Sequence, residues 1–218
     1  MESSTPASPP RRSVPGRFIA FEGLDGSGKS TQLSLLARRL VDRGVPVLQT
    51  KEPTTGPVGS LIHQIMTGRI RSDQKTIAAL FAADRLDHLL NPVDGLRERI
   101  EAGQTVLCDR YYFSSYAYHS AHVPMDWVIK ANALSAEIQR PDLTVFVDVP
   151  PEVCLRRLSE GRWHLELYEN LETMHRVRQQ YLESFRLLHG DEKVVIVDGQ
   201  PEAALVAESV WAFCREYF

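Results

Sequence analysis

Eight residues constrain this chain more than any others: Gly23-Leu24-Asp25-Gly26-Ser27-Gly28-Lys29-Ser30 satisfies G-x-x-x-x-G-K-[ST] in full. An apolar run, Phe18–Glu22, enters the octet, and Leu33, Leu36, Ala37 and Leu40 leave it at helical spacing. A strand, a glycine-rich turn and a helix in that order form a cradle whose backbone N–H groups turn inward around phosphate oxygens. The helix N-terminus adds partial positive charge at the same point. Lys29 is placed to reach the β- and γ-phosphates of a bound nucleotide, and the Ser30 hydroxyl to ligate Mg²⁺. Gly23, Leu24, Asp25, Gly26, Ser27, Gly28, Lys29, Ser30 and Thr31 are therefore the predicted ATP-binding residues. GTPases, motor ATPases and small-molecule kinases share such an octet, so it is silent on the acceptor.

The rest of the chain supplies the sheet that such a cradle needs. Phe18–Glu22, Val45–Thr50, Thr105–Asp109, Leu143–Val149 and Lys193–Asp198 read as strands, several of them continuous apolar runs suited to burial on both faces. Helical stripes alternate with them. Val58, Leu61, Ile62 and Ile65 form one, Ala203, Val206, Val210, Phe213 and Tyr217 another, and Gly44 is placed to end the first helix. The alternation predicts an α/β fold of the P-loop NTPase type, three-layer α/β/α with a five-stranded parallel sheet.

At 218 residues the chain fits a single kinase-sized domain, 17–218, behind a Ser/Pro-rich tail, 1–16, that has no apolar signal region and is expected to be disordered. The net charge of −3 supplies no field for nucleic acid. No apolar run approaches the roughly 20 residues that span a bilayer. Neither nucleic acid nor membrane is expected as a partner. Cys108, Cys154 and Cys214 are scattered without metal-ligand spacing, as reduced core thiols of a cytoplasmic protein would be.

No guanine-reading Asn/Thr-Lys-x-Asp segment follows a strand, and a motor ATPase would ordinarily be larger. Other residues suit a second, small, phosphorylated substrate. Phe81 and Arg85 share a helical face, which fits either a ring and guanidinium around a base or a core helix whose Arg85 meets a carboxylate. Asp109 and Arg110 close a strand at its carboxyl end, the edge where open α/β sheets bind ligands. There the pair can hold hydrated Mg²⁺ and clamp a phosphoryl oxygen, or simply bond to each other. Tyr111, Ser115 and Tyr118 follow on one face.

FEGLDGSGKST, KEPTTGPVG, LFAADRLDH, DRYYFSSYAYH, and DVPPEVCLRRL followed by ELYE occur in that order from about Arg17 onward. In these stretches the chain resembles the thymidylate kinase family. The resemblance implies phosphoryl transfer from Mg·ATP to dTMP by a homodimeric enzyme. It implies that Phe81 stacks on thymine, Arg85 reads a ring carbonyl, Ser115 lies near the base edge and Tyr118 lies against the deoxyribose. Asp25 would sit between the substrates, with Glu52, Pro53, Tyr168 and Glu169 on the acceptor side. Lys51 would face phosphate where arginine is usual, and His119 stands where glutamine is common.

A lid is implied over about residues 155–168. Gly26 and Ser27 leave the P-loop without an arginine, so the family's lid style is implied, with Arg162 the first choice as catalytic arginine, Arg157 the second, and Arg156 facing solvent. Trp163-His164-Leu165 departs from the more polar lid of the family. The implied catalytic set is Lys29, Asp25, Arg110 and Arg162, with Ser30 and Asp109 at the metal. Two rivals stand beside this reading. One is another deoxynucleotide or nucleoside kinase, with Glu52 or Asp109 as base; the other is a P-loop protein that binds nucleotide without transfer.

Overall fold

The computed structural model describes residues 15–161 and 170–218. Five parallel strands run β1 Phe18–Glu22, β2 Val47–Lys51, β3 Thr105–Asp109, β4 Leu143–Asp148 and β5 Val194–Asp198, in the spatial order β2-β3-β1-β4-β5. Around them pack α1 Lys29–Val41, α2 Pro57–Met66, α3 Gln74–Leu90, α4 Leu96–Glu101, α5 Tyr112–His119, α6 Met125–Ile138, α7 Pro151–Gly161, α8 Leu171–Leu187 and α9 Ala203–Cys214. This is the predicted three-layer P-loop kinase architecture.

β1 lies at the centre of the sheet, and all five of its residues are buried. Its carboxyl end meets that of β3 in register, Phe21 opposite Asp109. The chain turns to β3 and β2 on one side of β1 and to β4 and β5 on the other. The crevice for ligand therefore opens above β1.

Strand β2 starts later than the apolar run suggests. The Val45 N–H turns back to the Leu40 carbonyl behind α1, and Pro46 has no N–H to contribute, though its carbonyl accepts from Thr105. β4 stops at Asp148 rather than Val149, and β5 begins at Val194 rather than Lys193. Gly44 ends the first helix in the left-handed region, φ 76°. Gly16, assigned to the tail from sequence, donates its N–H to the Ile100 carbonyl.

The helical stripes are offset in places. In α2, Ile62 and Ile65 are buried while Leu61 is exposed. In α9 the buried row is Val206, Val210 and Cys214; Phe213 and Ala203 face outward. A stripe at i+4 spacing drifts around the helix, so Cys214 takes the sheet-facing place expected of Phe213. All three cysteines are free and buried. No helix among the described residues is long and apolar enough to cross a membrane.

Candidate active site

The P-loop passes from β1 into α1 through three glycines at positive φ: Gly23, Gly26 and Gly28. Gly26 is demanding on two grounds. Its φ is +81°, and a Cβ there would lie 2.5 Å from the Cys154 carbonyl oxygen of α7. This backbone thus has no room for a P-loop arginine at position 26. Gly28, at φ 94°, is the N-cap of α1 and leaves the first N–H groups of that helix open toward a phosphate.

A groove runs along the loop, lined by Gly26, Ser27, Gly28, Lys29, Ser30, Thr31, Arg157 and Gly199, among others. Arg157 donates to the carbonyls of Ser27 at 3.4 Å, Gly199 at 3.2 Å and Gln200 at 3.3 Å, tying the P-loop to the turn after β5. Arg156 is exposed. Arg162, Tyr168 and Glu169, together with the second half of the lid segment, lie outside the described residues.

One carboxylate joins this groove to a second pocket. Asp25 Oδ1 accepts from Lys29 Nζ at 3.3 Å and from an Arg110 terminal nitrogen at 2.6 Å, while Asp25 Oδ2 accepts from the Tyr118 hydroxyl at 3.2 Å. Burial alone would raise the Asp25 carboxyl. The neighbouring Arg110 and Lys29 charges and their hydrogen bonds outweigh it and hold the group well below the ordinary carboxylate range. Asp25 stays an anion between two cations.

Arg110 is the one non-glycine residue at positive φ (73°) among the described residues. Its backbone is secured by its N–H to the Phe21 carbonyl at 2.8 Å and by the Cys108 thiol on its carbonyl at 3.0 Å. Such strain persists only where surrounding bonds over-determine it. Here it turns the guanidinium from the end of β3 back over the P-loop. The Asp109–Arg110 bond weighed from sequence does not form, since Arg110 pairs with Asp25. Asp109 Oδ2 instead accepts from the Ser30 hydroxyl, and Asp109 Oδ1 is buried without a hydrogen-bond partner. A P-loop hydroxyl beside a carboxylate with unused lone pairs is a donor set that fits a hydrated divalent cation.

The second pocket is lined by Asp25, Pro53, His63, Met66, Phe81, Arg110, Ser114, Ser115, Tyr118 and His119. Six of the residues predicted for the acceptor thus come together: Asp25, Pro53, Phe81, Arg110, Ser115 and Tyr118. The Tyr118 ring also lies under the Arg110 guanidinium, 4.9 Å from its centroid.

Arg85 and Glu52 lie behind this pocket and are absent from its lining. Arg85 is 1% exposed and bonds Glu52 Oε2 through Nε at 2.8 Å, with an ion-pair distance of 2.7 Å from its terminal nitrogen. Its other terminal nitrogen reaches Asn132 Oδ1, and Ser115 Oγ at 3.2 Å. Arg85 thus pairs with a carboxylate, and its guanidinium reaches the pocket wall through Ser115. Lys51 lines a separate surface groove with Thr54 and His88. Tyr111, expected on the pocket face, is buried beneath Arg85, with its ring 5.2 Å from the guanidinium.

Sequence reasoning missed several residues. His63 and Met66 enter the pocket from α2, which was read only for its apolar stripe. His119 was noted for its identity and not its place; its ring lies 4.9 Å from that of Phe81. Burial, with Arg85 and His122 nearby, lowers its pKa to about 3, so the imidazole is neutral at physiological pH. Glu22 is fully buried at the end of β1 and accepts from the N–H groups of Tyr111 at 2.8 Å and Ser114 at 3.1 Å. It thereby caps α5 from across the sheet, where the N-cap residue offers no side-chain bond. A lone charge closing an apolar strand was the available signal.

Two pockets that meet at one charged wall are an arrangement suited to moving a phosphoryl group from one bound molecule to another. With the P-loop on a five-stranded parallel sheet, they define a P-loop kinase of the nucleoside monophosphate type. A family model described as "Thymidylate kinase" matches residues 21–210. The "Probable thymidylate kinase" of Pyrococcus abyssi is 37% identical over 207 residues, 92% of this chain and 96% of its own. The "Thymidylate kinase" of Limosilactobacillus fermentum is 36% identical over 203 residues, 89% of this chain and 92% of its own. That of Desulfotalea psychrophila is 40% identical over 152 residues, 68% and 71% of the two chains. The chain belongs to the thymidylate kinase family.

Proposed function

We infer that this protein transfers the γ-phosphoryl group of ATP to the 5′-phosphate of dTMP, giving dTDP and ADP. The observation that carries the reading is the shared Asp25 oxygen, bonded on one side by the P-loop Lys29 and on the other by Arg110 of the second pocket. Two cations held by one anion lie where a donor and an acceptor phosphate would meet.

The acceptor oxygen is already anionic, so transfer needs position and charge neutralisation and no strong base. Lys29 takes the γ-phosphate side, and Arg110 draws the acceptor phosphate into line. Phe81 offers its face to the base, Ser115 its hydroxyl to the base edge, and Tyr118 packs against the sugar. Asp25 orients Arg110 and lies beside the acceptor. Ser30 and Asp109 would hold Mg²⁺, which neutralises charge on the donor phosphates when bound. Arg157 holds the P-loop in shape, and Arg162, Tyr168 and Glu169 complete the proposed site from the lid. Glu52, buried and held by Arg85, is badly placed to serve as the base that a nucleoside kinase would need.

Exposed Leu90, Trp127 and Leu134 on α3 and α6 support a homodimer. A cytoplasmic location accords with the three free thiols. The test is ADP release from Mg·ATP with thymidine, dTMP, dUMP, dCMP, AMP and UMP. dTMP should give the highest kcat/KM. No turnover above background with dTMP defeats the reading, and a preference for thymidine replaces it with a nucleoside kinase.

A further inference from the structure

Tyr181 on helix α8 is fully buried, its ring among Phe146 and Phe185. Its hydroxyl, however, ends in a polar cluster. Tyr181 OH lies 2.9 Å from Glu22 Oε2 and 2.8 Å from Ser114 Oγ, and it accepts from an Arg110 terminal nitrogen, Nη1, at 3.3 Å. Ser114 Oγ donates to Glu22 Oε2 at 2.6 Å and accepts from the same Nη1 at 3.0 Å. Three elements converge on one arginine: β1 through Glu22, α5 through Ser114, and α8 through Tyr181.

The polarity of the cluster follows from its chemistry. Arg110 only donates, and ionised Glu22 only accepts. Each hydroxyl has one hydrogen. Ser114 directs its hydrogen to Glu22, and Tyr181 directs its own to Glu22 or to Ser114 Oγ. In either arrangement the Tyr181 oxygen presents a lone pair to Nη1. The other terminal nitrogen, Nη2, is held differently, by Asp25 at 2.6 Å and the Tyr118 hydroxyl at 3.1 Å, both lining the acceptor pocket. The two arms of the guanidinium therefore have unequal partners. Nη1 is held by two hydroxyls that are both tied to buried Glu22, Ser114 at the pocket wall and Tyr181 behind it, whereas Nη2 holds pocket groups that an incoming phosphate oxygen can replace.

We propose that Tyr181 is a positioning residue for the acceptor phosphate: with Ser114 and Glu22 it anchors the Nη1 arm of Arg110, so that Nη2 exchanges Asp25 for phosphate about a fixed pivot. The proposal rests on the reading of the second pocket as the acceptor site. It goes beyond that reading in giving a function to a helix that contributes nothing to the lining of that pocket.

The test compares Tyr181→Phe with Tyr112→Phe in the full chain. Tyr112 is a fair control, because its hydroxyl is likewise bonded to a carboxylate, Glu192 at 2.7 and 2.8 Å, on the same helix as Ser114 but away from Arg110. Both substitutions keep the ring and delete one hydroxyl. Tyr181→Phe should raise KM for dTMP about fivefold, the scale of one lost hydrogen bond, and raise the dTMP Kd measured calorimetrically without ATP by a similar factor. KM for ATP should stay within about twofold of wild type, and Tyr112→Phe should show no such split. Unchanged dTMP parameters in Tyr181→Phe, or the same pattern in Tyr112→Phe, overturn the proposal. If Tyr181→Phe does not fold, Ser114→Ala removes the other Nη1 acceptor and must show the same split. A wild-type protein that neither binds nor phosphorylates dTMP would sink the acceptor-site reading itself, whatever the variants do.

Discussion

Lys29 shows how little freedom the central residues have. It is 6% exposed, and its ammonium group lies against Asp25 and the Leu24 carbonyl. Such a charge is tolerated because the P-loop supplies its partners, and a nucleotide phosphate would supply better ones. Lys29→Ala should lower kcat about 10²- to 10³-fold, the scale of removing one preorganised charge at a developing anion, without loss of the folded state by circular dichroism. A rate near wild type would remove Lys29 from the mechanism. The octet made this residue legible from sequence, since the spacing of glycines to lysine fixes where the ammonium lies. Arg110 was legible only as a strand-ending charge. Its partner in space, 85 residues away in sequence, and its left-handed backbone were not.

At the scale of elements, the second pocket, proposed as the acceptor site, depends on helices held in place from behind. Glu52 at the end of β2 and Arg85 in the middle of α3 are 2% and 1% exposed, and His88 Nδ1 lies 3.1 Å from the second Glu52 oxygen. Thr54, just past β2, adds its N–H and hydroxyl to Asp84 at 2.8 and 2.7 Å. These bonds fix α3, and with it Phe81, against the strand. Removing one partner of such a pair leaves the other charge buried without compensation. Glu52→Ala should therefore cost about 3–5 kcal/mol of unfolding free energy in urea, whereas a surface carboxylate such as Glu101, paired with Arg97, should cost under about 1 kcal/mol. Equal losses would show that the Glu52 pair adds nothing to the fold. From sequence, Phe81 and Arg85 fell on one face, and that was correct. Which way the face turned was settled by the carboxylate β2 brings to it, and local periodicity does not encode that.

For the molecule as a whole, the response to acid should carry the signature of one buried imidazole. His119 has a folded pKa of about 3 against an ordinary value of 6.5, chiefly from burial. Between those values the unfolded chain binds a proton that the folded chain refuses. Stability is thus complete above about pH 6.5 and falls as the pH drops toward 3, by about 1.4 kcal/mol per pH unit. Glu22, raised by burial, acts with the opposite sign and loses stability as pH rises above its unfolded value. The difference between wild type and His119→Gln removes that contribution. Urea unfolding from pH 6.5 to 4 should show the wild type losing ground to the variant; parallel curves would deny the buried neutral imidazole. The sequence by itself determined the parallel α/β fold and the phosphate cradle, because both are written in local spacing: strand, glycines, lysine, helix. It also held Pro53, Phe81, Arg110, Ser115 and Tyr118 of the second pocket, through an ordered set of short motifs. Tertiary structure alone decided how they are arranged. It set Asp25 between Lys29 and Arg110, turned Arg85 into the core and brought Tyr181 to the arginine. Those relations join residues far apart in the chain, and only packing brings such groups within bonding distance.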